Sequence, residues 1–243
     1  DADGEETFRT VDEGLDANGR HQQTFWDGTL INAGLYKAVT LEDRERARLY
    51  LAHLAKRLGP HAHPQHVGFH EHFTAYCHWL DGEHQAALTH LMAAYRAGER
   101  NGMSIIPIHY GHGIAAILHT AGRGREALCW VRRGRRAAMA QNSPFLIFLT
   151  YLRGAALALD SARPDRALPY LRTALAAGAS MRIYLHVWMR RSEMAALLHL
   201  AVQSDIERDY ASELLRVLDL AGERPIASAN GIRLITLGSF DVL

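Results

Sequence analysis

Cysteine is nearly absent from this 243-residue chain: there are two, Cys77 and Cys129. Both fall in helical stretches near apolar positions, so buried, reduced thiols are expected rather than a disulfide or a redox pair. Long apolar runs are missing as well. No 18 apolar residues follow one another, which argues against a membrane-spanning helix, and no basic-then-apolar start marks a secretory signal. The expectation is a cytoplasmic chain without membrane contact. Charge of one sign is not in excess either, with 27 basic against 26 acidic residues. That balance argues against a nucleic-acid surface on this part of the chain. Arg132, Arg133, Arg135 and Arg136 make the one dense basic cluster, and on a helix they spread over more than one face.

Catalytic signatures are lacking too. There is no Gly-x-Ser-x-Gly elbow, no Walker-type phosphate loop and no His-Glu-x-x-His. Cys77 and His78 are adjacent, which on a helix turns them about 100° apart and prevents a dyad. Glu5-Glu6 and Glu42-Asp43 fall in the lead-in or at a helix start, where they serve solvent or the helix dipole. Neither an enzyme nor a cofactor is expected.

What the chain does have is a period. Ala47, Ala87, Ala127 and Ala167 are spaced by 40 residues, and Leu35, Ala75, Ala115, Ala155 and Ala195 form a second such series. Leu51, Leu91, Val131 and Leu171 keep the same interval. A single compact core gives no reason for this, whereas stacked supersecondary units do, since each buries its apolar face against its neighbours. Within a unit the spacing is helical: Phe69, Phe73, Tyr76, Cys77 and Leu80 share one face. Asp81-Gly82-Glu83 breaks the run, and Ala87, Leu88, Leu91 and Ala94 begin another. The pattern predicts hairpins over 25–58, 67–98, 105–140, 145–177 and 183–220, with a longer last turn around 203–207 because the marker alanine slips by four to Ala211. The expected fold is all-α, a right-handed superhelix of about five antiparallel hairpins, with a short β segment at the C-terminal end.

The ends differ in texture. Residues 1–24 read as a polar, frayed lead-in, 25–221 as the repeat region and 222–231 as a linker. Ile232 to Leu243 is rich in β-branched residues with a central glycine, a strand or hairpin signal. The chain lacks an initiator methionine and is expected to be an excised piece of a longer protein.

Gly82-Glu-His-Gln-Ala-Ala-Leu88 and Gly124-Arg-Glu-Ala-Leu128 resemble the second-helix openings of tetratricopeptide (TPR) repeats, of the 40-residue kind found in bacterial MalT-like and LuxR-type regulators. Ile232-Arg-Leu-Ile-Thr-Leu-Gly-Ser-Phe-Asp-Val-Leu243 is similar to the opening strands of the OmpR-like winged-helix DNA-binding domain of SARP-type activators. The repeat resemblance covers about four fifths of the chain and the second only its tail. Together they imply a sensor or protein-interaction region joined to a DNA-binding domain that is almost wholly absent here. The expected partners are a protein or small-molecule effector, with DNA reached only through the missing domain. The tail is expected to be disordered or to pair with a second copy of the chain as a homodimer.

In such repeats the first helix of each pair lines the concave face. The register puts Asn32 and Tyr36, then His72, Tyr76 and Trp79, then His109, His112 and His119 on that face. Leu149, Leu152, Ala156 and Leu159 follow, then Met189, Ser192 and His199. Imidazole and aromatic groups at one end with apolar groups beyond suit a small organic ligand or a peptide. Packing between hairpins is the competing account of the same side chains. His66 and His70, at i and i+4 with Glu71 near, have the spacing of two metal ligands on one helix face. Pro60 and Pro64 flank much of that histidine-rich stretch, so His61 to His66 is expected as a loop without metal. Two other functions stand beside the regulator: a free-standing repeat scaffold that binds a peptide, and, with less support, a metal-dependent enzyme on helical hairpins.

Overall fold

A computed structural model describes residues 2–21, 27–56, 58–59, 62, 64–100, 102, 105–161, 164–184 and 187–222. Among these, eleven α-helices are the only regular elements: α1 (Ala2–Arg20), α2 (Asp27–Thr40), α3 (Arg44–Ala55), α4 (Pro64–Leu80), α5 (His84–Arg100), α6 (Ile105–Thr120), α7 (Gly124–Ala140), α8 (Pro144–Asp160), α9 (Pro164–Met181), α10 (Arg191–Gln203) and α11 (Arg208–Val217). Successive helices pair, α2 with α3, α4 with α5, α6 with α7, α8 with α9 and α10 with α11. The fold is all-α and repeat-like. The expected β segment, 232–243, and the linker from 223 onward lie outside the described residues.

The 40-residue period marks equivalent places in the helices. Ala47, Ala87, Ala127, Ala167 and Ala211 are each the fourth residue of the second helix of a pair. All five are fully buried. Leu35, Ala75, Ala115 and Ala155 stand five residues before the end of the first helix, also fully buried. Alanine keeps these places small, although the first unit accepts the larger Leu35. Glycine serves the same end where an aromatic ring crosses: a Cβ at Gly34 would lie 2.8 Å from the Tyr50 ring, and one at Gly154 2.7 Å from Tyr170. These two pairs are three repeat units apart.

The turns repeat as well. Glu42, Gly82 and Gly122 within pairs, and Gly102, Asn142 and Arg182 between them, all have left-handed φ. At most of them the following amide donates back into the last helical turn, as Glu83 N does to His78 O (2.8 Å) and Ile183 N to Gly178 O (3.0 Å). This is the helix-ending arrangement that glycine favours and other residues adopt at some cost. The turn at 204–207 is longer than the turns 41–43, 81–83 and 121–123, as the slipped alanine requires.

Two expectations are corrected. The lead-in is helix α1 over Ala2–Arg20, and its Phe8 and Val11 are buried. Phe8 stacks on Tyr50 at 6.1 Å, the Tyr50 hydroxyl donates to Asp12 (2.8 Å), and Arg46 pairs with Glu5 (2.8 Å). An apolar pair three residues apart is enough to dock an otherwise polar helix. The last hairpin does not start at 183: α10 begins at Arg191, and residues 182–184 and 187–190 before it lie outside any helix.

Candidate ligand site under the Trp188 turn

The first helices of the pairs form one layer. α2 touches α4, α6 touches α8 and α8 touches α10, while the rings of His72 and His109 meet across α4 and α6 at 5.1 Å. The sequence-derived residues of this layer come together, but they are covered. His72, Tyr76 and Trp79 are fully buried, and His109 and His112 nearly so. What covers them is the connection from α9 to α10, whose Val187, Trp188 and Met189 turn inward and are themselves buried.

Trp188 is the centre of the arrangement. Its ring lies 4.4 Å from Tyr76, 5.3 Å from His72 and 5.6 Å from Trp79, centroid to centroid. It fits because position 113 is glycine: a Cβ there would come within 2.5 Å of the indole. The backbone of the turn is held at three points. The Trp188 amide donates to the Tyr76 hydroxyl (3.1 Å), His112 Nε2 donates to the Val187 carbonyl (3.1 Å), and Arg153 donates to the Trp188 carbonyl. Arg153 has no exposed surface, and its charge is met by Glu193 at 3.0 Å. The same guanidinium reaches His119 Nδ1 (3.3 Å), leaving Nε2–H to donate to Asp160 (2.8 Å). Trp79 is fixed by its Nε1–H to Thr120 (2.8 Å).

The turn is fastened at its exit too. The Arg190 guanidinium lies over the Trp79 ring at 4.5 Å and donates to the Trp79 carbonyl at 2.9 Å. Glu42 accepts from the Arg191 amide (2.8 Å) and pairs with Arg190 (3.4 Å). Arg191 in turn donates to the carbonyls of Leu218 (3.2 Å) and Asp219 (2.6 Å), beyond the end of α11.

This packing is held against two costs. Trp188 has φ +56°, which for a bulky residue costs on the order of 1–3 kcal/mol. Both ring nitrogens of His72 and of His109, Nδ1 of His112, Nε1 of Trp188 and Nε of Arg153 are buried without a hydrogen-bond partner among the described residues. Each such atom carries a desolvation cost of about 1–3 kcal/mol. Burial keeps the imidazoles neutral: it pushes His72 and His112 well below the usual histidine range, and His109 down to about 4. It pushes the Tyr36 hydroxyl up to about 12 and Tyr76 higher.

The other sequence-derived residues divide. Tyr36 packs edge-on against Phe73 at 5.0 Å and touches His72 at 6.4 Å. Asn32 is half-buried on α2, with an unpartnered buried oxygen. Ser192 and His199 are half-buried on α10, and none of the ring contacts around Trp188 includes them. Met189 is buried in the turn rather than on a helix. His66 lies on α4 rather than in a loop, because Pro64 opens the helix. His70 stands 3.8 Å from Glu71, and no group of three His, Cys, Asp or Glu side chains placed to hold a metal occurs among the described residues. Cys77 is buried as expected, its thiol pushed up to about 11 by desolvation, but Cys129 is exposed, because α7 turns Ala127 and Val131 inward and not position 129. No helix among the described residues is long and apolar enough to cross a membrane.

Two open clefts lie away from the Trp188 turn. One, of about 420 Å³, is lined by Tyr95, Trp130 and Arg133; the other, of about 640 Å³, is lined by Arg125, Arg132, Arg166 and Tyr170 and reaches His119 and Asp160 at the outer end of the Arg153 network.

Sequence reading missed Trp188, Arg153 and Glu193. The segment from 183 spaces Ile183, Val187 and Trp188 as a helix would. Arg153 carried a signal that was available, a lone cation in the apolar run Leu149 to Leu159. A buried guanidinium needs an acid, which the sequence places 40 residues on, at Glu193.

No family model, no curated protein and no solved structure matches this chain.

Proposed function

We propose that this chain is the sensor and protein-interaction region of a bacterial transcriptional regulator. In this reading the pairs wind as a right-handed TPR-like superhelix whose concave face is the layer of first helices. A protein or small-molecule effector engages that face, and residues 232–243 open a winged-helix DNA-binding domain. The chain acts as a non-enzymatic switch in the cytoplasm. The observation that carries the reading is the mechanical link from the covered face to the C-terminal end. The Trp188 turn runs straight into Arg190 and Arg191, and Arg191 holds the carbonyls of Leu218 and Asp219, where the repeat region ends. Units that contact only their neighbours pass a change in stacking along the array. A ligand that binds better with the turn displaced would shift the population towards a state with a differently held C-terminal segment.

The test is Arg191→Met in the full-length regulator. The expected result is transcription that no longer follows the effector, with effector binding retained. Normal effector-dependent transcription in that variant would refute the link. Alanine at Tyr76 and Trp79 is a poorer test, because both are core residues and their loss would unfold the hairpins.

A further inference from the structure

The pocket that holds Trp188 engages main-chain atoms as well as a ring. Three of its polar contacts go to main-chain atoms of two successive residues: the Val187 carbonyl to His112, the Trp188 amide to Tyr76, and the Trp188 carbonyl to Arg153. The fourth element is a slot for one aromatic ring, walled by Tyr76, Trp79 and His72 and floored by Gly113. All three partners are side chains, from three different helices, so the turn is held as a guest is held and not by a helix or strand ladder. The occupant is also a poor one. Trp188 sits at φ +56°, and both nitrogens of His72 and Nε1 of Trp188 itself are buried unpartnered among the described residues.

We propose that the Val187–Met189 turn is an internal stand-in, and that the pocket beneath it binds an external peptide through one tryptophan or similar aromatic side chain and the two peptide units around it. An external strand can carry the ring at a negative φ and bring polar groups to the histidines. The strain and the unmet polar atoms of the resident turn are therefore relieved on exchange, which gives the incoming segment its advantage. Arg153 and His112 select carbonyl oxygens, and the tyrosine hydroxyl selects an N–H. The inference deepens the sensor reading, since it names the class of effector for the same face.

The experiment uses the full 243-residue chain with Trp188→Gly, because glycine accepts the positive φ and empties the slot. The probes are the heptapeptide of residues 184–190, Tyr-Leu-His-Val-Trp-Met-Arg, and the same peptide with alanine for tryptophan. N-acetyl-L-tryptophanamide, which keeps one ring and both peptide units, and indole-3-acetate are the small probes. By calorimetry the heptapeptide should bind saturably and at least tenfold more tightly than its alanine version, with N-acetyl-L-tryptophanamide weaker but detectable. Adding Gly113→Val should abolish both. Equal binding of the two peptides overturns the proposal. So does indole-3-acetate binding as tightly as the heptapeptide, which would make the site one for small aromatic acids.

Should Trp188→Gly fail to fold, the unsubstituted chain labelled with 5-fluorotryptophan serves. Its Trp188 fluorine resonance, assigned with Trp188→Phe, should move to the solvent-exposed position as the heptapeptide is added. A resonance unmoved at millimolar peptide overturns the proposal. Peptide binding together with normal switching by Arg191→Met would leave the pocket standing and remove the link to the attached domain. The reverse pair of results would keep the link and remove the pocket.

Discussion

A methyl group is the largest side chain that several positions of this protein accept. Ala127 is fully buried where α6 and α7 cross, and its counterparts at 47, 87 and 167 are equally enclosed. Replacing Ala127 with Leu should overpack that crossing and cost about 1–3 kcal/mol, seen as a lower urea midpoint with an unchanged slope. An unchanged midpoint would mean that the crossing has slack and that the alanine recurs for another reason. The same residue-scale economy explains Gly113. Its missing Cβ, not its backbone freedom, is what the Trp188 ring uses, since it sits inside α6 in ordinary helical conformation.

At the scale of elements, α1 and the α9–α10 connection decide where the array begins and how its inner layer is closed. α1 is polar on most of its surface, but Phe8 and Val11 are buried and Phe8 lies between Tyr50 and the Arg46 guanidinium, the latter 4.1 Å away. Phe8→Ala should cost about 3–5 kcal/mol if α1 folds with the array. A loss well under 1 kcal/mol, measured by the same denaturation, would show that α1 melts separately from the hairpins. Arg182 ends α9 with φ +51°, as Asn142 ends α7 with φ +47°, and the α9–α10 connection departs from the repeat after it, where Trp188 bends at φ +56°. A segment that would otherwise continue as helix is drawn into the layer by burial of Val187, Trp188 and Met189.

For the whole molecule, the buried imidazoles make stability depend on pH. His109, whose ring meets His72 on α4 at 5.1 Å, Tyr110 on α6 at 6.0 Å and Phe145 on α8 at 6.4 Å, with His112 also near on α6, has its pKa lowered to about 4, by desolvation. In the unfolded chain its pKa is about 6.5. Between those values the unfolded state holds more protons than the folded one, so stability falls as pH falls through 6.5 towards 4. From pH 7 to pH 5, His109 alone should account for a loss of about 2 kcal/mol. His72 and His112, lowered in the same direction, add to it. His109→Gln should show a visibly smaller loss over that interval. A denaturation midpoint that stays level from pH 7 to pH 5 would mean that these imidazoles are not held neutral.

The 40-residue period by itself determined the pairing of helices, the buried alanines and the extra length at 204–207. Each of these follows from local spacing, and local spacing is written in the chain. The meeting of Tyr36, His72, Tyr76, Trp79, His109 and His112 was also legible, because one register repeated three times puts them on one layer. Whether that layer is open could not be read, since a residue's period says which face it occupies and not what lies over it. Trp188 lies 112 residues from Tyr76 and 35 from Arg153, and what draws it in is the absence of a side chain at Gly113, a hydroxyl at Tyr76 and a buried cation at Arg153. Those three are far apart in sequence and adjacent only after the hairpins stack. The docking of α1 was hidden for the same reason: two apolar residues in a polar helix carry little signal until Tyr50 and Arg46 are placed beside them.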